Sequence, residues 1–150
     1  MKIRLLVSEK HYREVENELT SKGFEIDEDA DYLLLEKGLY ADHLIVKDKK
    51  DGDRSRIAVG DIVFIESFGH EITIHAAQGD FFTNERLYQL ERILNPEQFL
   101  RISNSVIISR QKVKRIKPAL SSKFILIMSN DMLVDVTRSY YNIFRDSFGI

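Results

Sequence analysis

From His43 onward, short apolar runs alternate with turn-forming residues at steady spacing, and this pattern constrains the fold more than any other feature. Apolar runs of this length, bounded by Gly, Asn and Asp, are typical of strands joined by tight turns. Asp51-Gly52 is a strong hairpin signal, and Gly79-Asp80 predicts another turn. The runs are HLIVK, SRIAV, GDIVFIES, EITIHAA, FFT, FLRI, SVIIS, VKRIK, KFILIMS and MLVDV. About ten short strands predict a mostly β, α+β domain of antiparallel sheets with short helices.

Two helical segments accompany the strands, one between them and one after the last strand. The segment NERLYQLERIL carries its leucines and isoleucine on one side and stops at Asn95-Pro96. Thr137 can cap a last helix, RSYYNIFRDSF, because a threonine hydroxyl can accept a hydrogen bond from an unpaired amide of the first turn. We therefore expect one helix within the run of strands and one at its end.

Residues 1–42 differ from residues 43–150 and predict a small separate unit. KIRLLV reads as a strand, Ser8 as the residue that caps a following helix, and Gly23 as the residue just past the end of that helix. The runs FEI and DYLLLE read as strands around the acidic turn DEDAD. The order is β-α-β-β, which is too short for a catalytic core or for a phosphoacceptor receiver domain.

The charge is distributed unevenly along the chain. The formal net charge is −2, and 43% of the residues are hydrophobic and 31% charged, as in a globular protein with a core. Residues 1–42 hold six Lys and Arg against eleven Asp and Glu, whereas residues 99–150 hold nine against three. Five of those cations fall between Arg110 and Lys117. An acidic first part and a basic last part indicate a nucleic acid or another anionic surface as partner.

The sequence predicts neither an enzyme nor a metal or cofactor site. It has no cysteine, and none of its four histidines has metal-ligand spacing. It also lacks the glycine-rich phosphate-binding loops and the serine nucleophile motif, so we expect no small-molecule substrate. No apolar run approaches the roughly 18 residues of a membrane span, and the N-terminus does not read as a secretory signal. We therefore expect a cytoplasmic protein.

Three polar loops at strand ends carry side chains suited to reading DNA. The hairpin ESFGHEI has Gly69 and His70 at its turn, RISNS has Asn104 between two strands, and VTRSYY has Arg138 at a helix start. Arginine and asparagine are the side chains that contact guanine and adenine bidentately in the major groove. Each residue also fits an ordinary role: Asn104 as a turn former, Arg138 as a surface residue of a first helical turn, and His70 as a hairpin polar residue.

Together these motifs resemble the LytTR DNA-binding domain of bacterial transcription regulators, from about residue 43 to residue 150. The resemblance rests on three quoted runs: GDIVFIESFGHEITIHAAQGDFFTNERLYQLERIL, FLRISNSVIISRQKVKRIKP and VDVTRSYYNIF. In that family a strand ending in IE leads to a Gly-containing hairpin and a leucine-rich helix. An F-x-R-x-H-x-S-x-x-V-N stretch follows, and a V-S-R-x segment starts the last helix. The order and spacing agree over about 100 residues.

The resemblance implies about ten strands in small antiparallel sheets, and double-stranded DNA bound through loops that enter successive major grooves. It implies base contacts from three loops and backbone contacts from the basic stretch. The implied base-contact positions are Gly69, His70, Glu71, Arg101, Ser103, Asn104 and Arg138. The implied backbone-contact positions are Arg110, Lys112, Lys114, Arg115 and Lys117. Ser103 and Ser109 stand where the family commonly carries histidine and asparagine.

We therefore expect a sequence-specific transcriptional regulator that binds promoter repeats as a homodimer. With some 40 residues before the match, we expect a stand-alone member without a receiver domain. The acidic unit is the candidate for dimerisation or for docking a regulatory partner such as a membrane protein. The alternative is a protein-binding adaptor or anti-activator that keeps the fold without DNA binding. The acidic unit and Glu71 favour the adaptor, and the basic excess of residues 99–150 disfavours it.

Overall fold

A computed structural model describes residues 1–150, which divide into two compact units, Met1–Ala41 and Asp42–Ile150. No helix of either unit combines the length and the apolar character that crossing a lipid bilayer would require. The two units differ in the direction of their strands, since one contains a parallel sheet and the other contains antiparallel sheets.

The first unit has the predicted β-α-β-β order. Its elements are β1 (Lys2–Leu6), α1 (Glu9–Ser21), β2 (Glu25–Ile26) and β3 (Tyr32–Leu35). Strand β1 lies in the centre and pairs in parallel with both β2 and β3. Gly23 takes a φ of +88° just past the helix end, which is the conformation that favours glycine there. The order of elements and the end of α1 are thus as expected.

Ser8 precedes α1 as expected, but its side chain does not cap the helix. The Ser8 hydroxyl donates to Glu36 Oε1 at 3.2 Å, and the His11 ring lies 2.8 Å from the same oxygen. The hydrogen bond from His11 lowers the pKa of the Glu36 carboxyl below its ordinary value, and Ser8 adds to the effect against the opposing cost of desolvation. The Ser8 hydroxyl therefore bonds to the Glu36 carboxylate, which follows β3, and not to an amide of the first turn of α1 as the sequence predicts.

The second unit is built mainly on a seven-stranded antiparallel sheet. Its strands are β4 (His43–Asp48), β5 (Arg54–Ala58), β6 (Ile62–Phe68), β7 (Glu71–Ala76), β8 (Gly79–Thr83), β9 (Phe99–Arg101) and β10 (Val106–Ser109). Their spatial order is β5-β4-β8-β7-β6-β10-β9. The antiparallel, mostly β prediction is confirmed, and all ten expected strands are present once the second sheet is included.

The second sheet of this unit has three antiparallel strands in the order β11-β12-β13. The remaining elements are β11 (Val113–Ala119), β12 (Lys123–Met128), β13 (Leu133–Val136), α2 (Leu87–Ile93) and α3 (Tyr141–Phe148), with single 3-10 turns at Val59–Asp61, Arg110–Lys112 and Arg138–Tyr140. Alternate residues of β12 are buried, because successive strand side chains point to opposite faces. Those buried residues pack with Phe144 of α3 and with Ile102 in one core.

Local boundaries differ from the sequence prediction in two places. The turn expected at Gly79-Asp80 lies two residues earlier, since Ala76 and Gly79 are already paired across β7 and β8. Thr137 precedes a 3-10 turn and not an α-helix, and its hydroxyl makes no capping bond. The first shift has a physical reason: in the strand, Asp80 lies directly opposite His75 and is bonded to it.

His75 is buried in the large sheet and joins two carboxylates. Its Nε2 lies 2.7 Å from Glu66 Oε1 and its Nδ1 lies 2.8 Å from Asp80 Oδ1. The ring also stacks on Phe64, with centroids 4.3 Å apart. The sequence pattern gave this histidine no particular role, whereas its contacts make it a structural link between β6, β7 and β8.

We predict that His75→Ala lowers the free energy of unfolding by about 3 kcal/mol, since it removes a buried ring and leaves two carboxylates without their shared partner. The control is His70→Ala, which removes the same side chain from an exposed hairpin turn and should change stability by less than about 0.5 kcal/mol. Urea unfolding of both variants measures the difference. Equal effects would show that the three-residue contact does not stabilise the sheet.

Candidate nucleic-acid interface

In the loop between β9 and β10, Asn104 is exposed and the two residues before it are buried. Ile102 and Ser103 are buried, whereas Asn104 and Ser105 are exposed. The Ser103 hydroxyl accepts a hydrogen bond from the Ser105 amide at 3.1 Å, which closes the turn locally. The structure therefore brings Ser103 close to Asn104 but places it beneath the exposed surface of the loop.

The Arg101 side chain stabilises the same loop through hydrogen bonds to its backbone. Its Nε donates to the Ser103 carbonyl at 3.0 Å and its Nη2 to the Asn104 carbonyl at 2.6 Å. Its Nη1 donates to Glu91 Oε1 at 3.2 Å, on α2. A guanidinium engaged by three acceptors holds the backbone that carries Asn104, so in this geometry it supports the loop and does not project from it.

Arg138 lies beside the Asn104 loop because two hydrogen bonds join distant parts of the chain. The Thr137 amide donates to the Ile102 carbonyl at 3.0 Å. The Tyr140 hydroxyl donates to Asn104 Oδ1 at 3.3 Å. Arg138 is exposed between these two contacts, at the start of its 3-10 turn. Two of the loops predicted from sequence therefore meet in space.

The two loops border an open groove of about 540 Å³. Each of its lining residues carries a hydroxyl, an amide or a cationic group, which suits a polar and anionic ligand. The lining residues are Ser103, Asn104, Ser105, Ser121, Lys123, Thr137, Arg138 and Ser139. We define this set as the reading groove.

Lys123 and Ser121 belong to the reading groove but were not among the predicted site residues. They come from the β11–β12 hairpin, where Ser121 and Ser122 take φ values of +65° and +56°. Such values are uncommon outside glycine, and no sequence pattern marked this turn. Strand alternation could have assigned Lys123 to the outer face, because Phe124 next to it is buried.

The hairpin between β6 and β7 points from the same end of the large sheet. The Ser67 amide donates to the Ser105 carbonyl at 2.8 Å, so the hairpin starts beside the Asn104 loop. Gly69 takes a φ of +63°, as the first central residue of a type II′ turn must. His70 is exposed there, and Phe68 is 84% exposed. None of these residues lines the reading groove, so the hairpin is a separate neighbouring projection.

Glu71, also predicted in this hairpin, is part of an ion pair. Lys49 Nζ lies 3.5 Å from Glu71 Oε1, and the Thr73 hydroxyl donates to the same oxygen at 3.4 Å. Lys49 therefore places a positive charge beside the Glu71 carboxylate.

The basic stretch divides into engaged and exposed cations. Arg110 Nη2 donates to the Ser147 carbonyl at 2.7 Å, near the end of α3, and Lys114 pairs with Asp131 at 2.8 Å. Lys112 is half-buried at its 3-10 turn. Arg115 and Lys117 are exposed and make no ion pair within the chain.

The exposed cations share one face of the small sheet. Arg115 lies opposite Ile127, Lys117 opposite Ile125, and Lys123 opposite Ala119. Directly opposed residues project to the same side of a sheet, and here that side is the one turned away from the buried Leu126. Arg115, Lys117 and Lys123 therefore form a row, which we call the cation row, that runs into the reading groove at Lys123.

We predict that Arg110→Ala lowers the free energy of unfolding by about 1.5–3 kcal/mol, because it removes a charged donor from the last turn of α3. Arg115→Ala removes the same side chain from the cation row and should change stability by less than about 0.5 kcal/mol. Thermal and urea unfolding compare the two. If the Arg110→Ala variant is as stable as the wild type, the bond from Arg110 to the Ser147 carbonyl does not stabilise the fold, and Arg110 would be free to contact phosphate.

Residues 53–149 match the family model described as the LytTr DNA-binding domain. The transcriptional regulatory protein LytR of Staphylococcus aureus strain N315 is 32% identical over 78 residues, which are 52% of this chain and 32% of that protein. The sensory transduction protein LytR of Staphylococcus saprophyticus is 27% identical over 94 residues, which are 63% of this chain and 37% of that protein. This chain thus matches about a third of the length of these relatives.

A solved LytTr DNA-binding domain from Bacillus cereus has the same fold as the second unit. The superposition has a TM-score of 0.69 at 24% sequence identity, and it covers 73% of this chain and 99% of that domain. The 73% of this chain that superposes is equal in length to the larger unit, Asp42–Ile150.

Proposed function

Because the chain belongs to the LytTR DNA-binding domain family, we propose that it is a transcriptional regulator that reads double-stranded DNA with Asn104 and Arg138. The observation that carries this proposal is the meeting of these two side chains in one polar groove bordered by Lys123. Asparagine contacts adenine and arginine contacts guanine through paired hydrogen bonds in the major groove. A loop end that presents both can discriminate neighbouring base pairs without a recognition helix.

Tyr140 orients the Asn104 amide for such a contact. Its hydroxyl donates to Oδ1, which has two lone pairs and can still accept one more hydrogen bond. The amide nitrogen keeps both of its protons for an acceptor on the base. One remaining acceptor site and one free donor group are what the N6 and N7 edge of adenine requires.

The hairpin at Gly69 and His70 supplies a second contact in the adjoining part of the DNA. Its projection from the same end of the sheet favours this role, since the Ser67 amide is bonded to the Asn104 loop. His70 offers ring donors and acceptors, and the exposed Phe68 ring has the chemistry to touch a thymine methyl group. The Lys49 partner of Glu71 reduces the repulsion of that carboxylate from phosphates.

The cation row contacts the phosphate backbone in this proposal. Arg115, Lys117 and Lys123 are exposed on one face, whereas Arg110 and Lys114 already have partners within the chain. Phosphate contacts position a protein on the duplex and carry no direct sequence information. The cation row therefore sets overall affinity and its salt dependence, and the reading groove sets sequence preference.

We propose further that the regulator acts in the cytoplasm as a homodimer on repeated promoter sites, and that a membrane protein is its regulatory partner. The second candidate is an adaptor that binds protein and not DNA. The observation in its favour is the acidic first unit, with eleven Asp and Glu against six Lys and Arg in residues 1–42. The two candidates differ in DNA binding by the larger unit, so that measurement separates them.

We predict that Asn104→Ala and Arg138→Ala each cost about 1–3 kcal/mol of binding free energy on a selected site and relax the preference at one or two base pairs. Lys117→Ala should weaken all duplexes alike and reduce the slope of log affinity against log salt by about 0.9. Selection from random duplexes, followed by titration at several salt concentrations, measures both quantities.

The matched control is Arg145→Ala, which removes an arginine from α3 outside the reading groove and should leave affinity and preference unchanged. If Arg138→Ala and Lys117→Ala have the same effect on every duplex, the assignment of base contacts to the reading groove is wrong.

A further inference from the structure

Strand β3 is an unprotected sheet edge. Proteins usually protect exposed edge strands with charges, prolines, bulges or short length, because unpaired backbone groups invite pairing with another chain. Every other edge strand of this chain contains a charged residue: Glu25 in β2, Arg54 in β5, Arg101 in β9, Lys117 in β11 and Asp135 in β13. Strand β3 has the sequence YLLL, and all four residues are exposed.

The first unit has almost no interior of its own. Helix α1 has no buried residue, and Ala41 is the one buried residue in Met1–Ala41. Yet the unit holds six of the thirteen large hydrophobic residues that are exposed in the chain: Met1, Tyr32, Leu33, Leu34, Leu35 and Tyr40. Units of about 40 residues seldom bury enough apolar surface to be stable alone and commonly depend on oligomerisation. These six apolar side chains therefore lie at the surface, where a partner can cover them.

We propose that two copies of this chain pair antiparallel through the free edges of their β3 strands, with the two-fold axis at Leu34, and that this forms the homodimer. A two-fold contact presents the same surface from both copies, so the strand must be complementary to itself. The inference rests on the proposed function only in assigning this dimer to repeated DNA sites, because the pairing itself involves no DNA.

Backbone geometry restricts the register of the pairing. The Glu36 amide donates to the Leu6 carbonyl of β1. Backbone groups alternate in direction along a strand, so Leu34 also faces β1, and the amides and carbonyls of Leu33 and Leu35 face the free edge. In an antiparallel pair, outward-facing residues must oppose outward-facing residues. This requirement allows an axis on Leu33, Leu34 or Leu35 and excludes every axis between residues.

Charge selects Leu34 from these three positions. With the axis on Leu34, Leu33 lies opposite Leu35. Just beyond the strand ends, Asp31, which lies in a bend, comes beside Lys37 of the partner subunit, which lies in a turn. An axis on Leu33 would place the Asp31 carboxylate opposite a leucine. An axis on Leu35 would place Lys37 opposite a leucine. Only the central register pairs Leu33 with Leu35 and places an opposite charge beside both Asp31 and Lys37. Glu36 then lies opposite Tyr32, and its carboxylate is already bonded to Ser8 and His11.

The test is the mass of the full chain in solution, by sedimentation equilibrium, for the wild type and for charge-swapped variants. Asp31→Lys or Lys37→Asp alone would set like charges against each other at both ends and weaken the dimer at least about tenfold. The double variant Asp31→Lys/Lys37→Asp restores opposite charges and should recover the wild-type dissociation constant. Leu34→Lys should give a monomer, since it places two cations at the axis.

Amide hydrogen exchange provides a readout that a folding defect would not imitate. At concentrations where the dimer forms, the amides of Leu33 and Leu35 should exchange more slowly than in the dilute monomer. The Leu34 amide, directed towards β1, gains protection only from the added stability of the unit, so its exchange should slow less than that of its two neighbours. A chain that is monomeric at every concentration overturns the proposal, as does a dimer that survives Leu34→Lys or that the double swap fails to rescue. Loss of DNA binding by an intact dimer would count against the proposed function alone.

Discussion

The backbone of Ile102 connects the two sheets of the larger unit at the point where the candidate site is formed. Its side chain is fully buried in the core shared by both sheets and α3. Its amide donates to Val106, which closes the Asn104 loop, and its carbonyl accepts from Thr137, which fixes the start of the Arg138 turn. One buried residue therefore sets the positions of both side chains that we assign to base contacts.

The loop that follows is held in place before any ligand arrives. Arg101 donates to two of its carbonyls, Ser103 closes its turn, and Tyr140 fixes the Asn104 amide. Binding by an ordered loop avoids much of the entropy that a mobile loop loses when it is immobilised. In the proposed complex, Arg101 and Ser103 therefore favour binding by keeping the loop ordered, without touching DNA themselves.

Much of the fold and part of the candidate site follow from the sequence alone. The short apolar runs bounded by turn residues predict the strands, and the chemistry of asparagine and arginine points to Asn104 and Arg138. Their meeting is not predictable from local patterns, because the hydrogen bond from Tyr140 to Asn104 spans 36 residues. The partners of Arg110 and Lys114 lie 37 and 17 residues away, so the sequence shows five similar cations where the structure shows engaged and exposed ones. Lys123 was missed because it stands outside that cluster.

The central claim is that this chain binds DNA by sequence and not only by charge. Its most direct test is a mobility shift with the full chain and the DNA upstream of its own gene, at two salt concentrations, with an unrelated duplex as competitor. Neutral contacts with base edges resist salt better than phosphate contacts do. We predict a complex that persists at the higher salt concentration and against the competitor. A complex lost equally to salt and to unrelated DNA, or no complex at all, would contradict the claim and favour the adaptor.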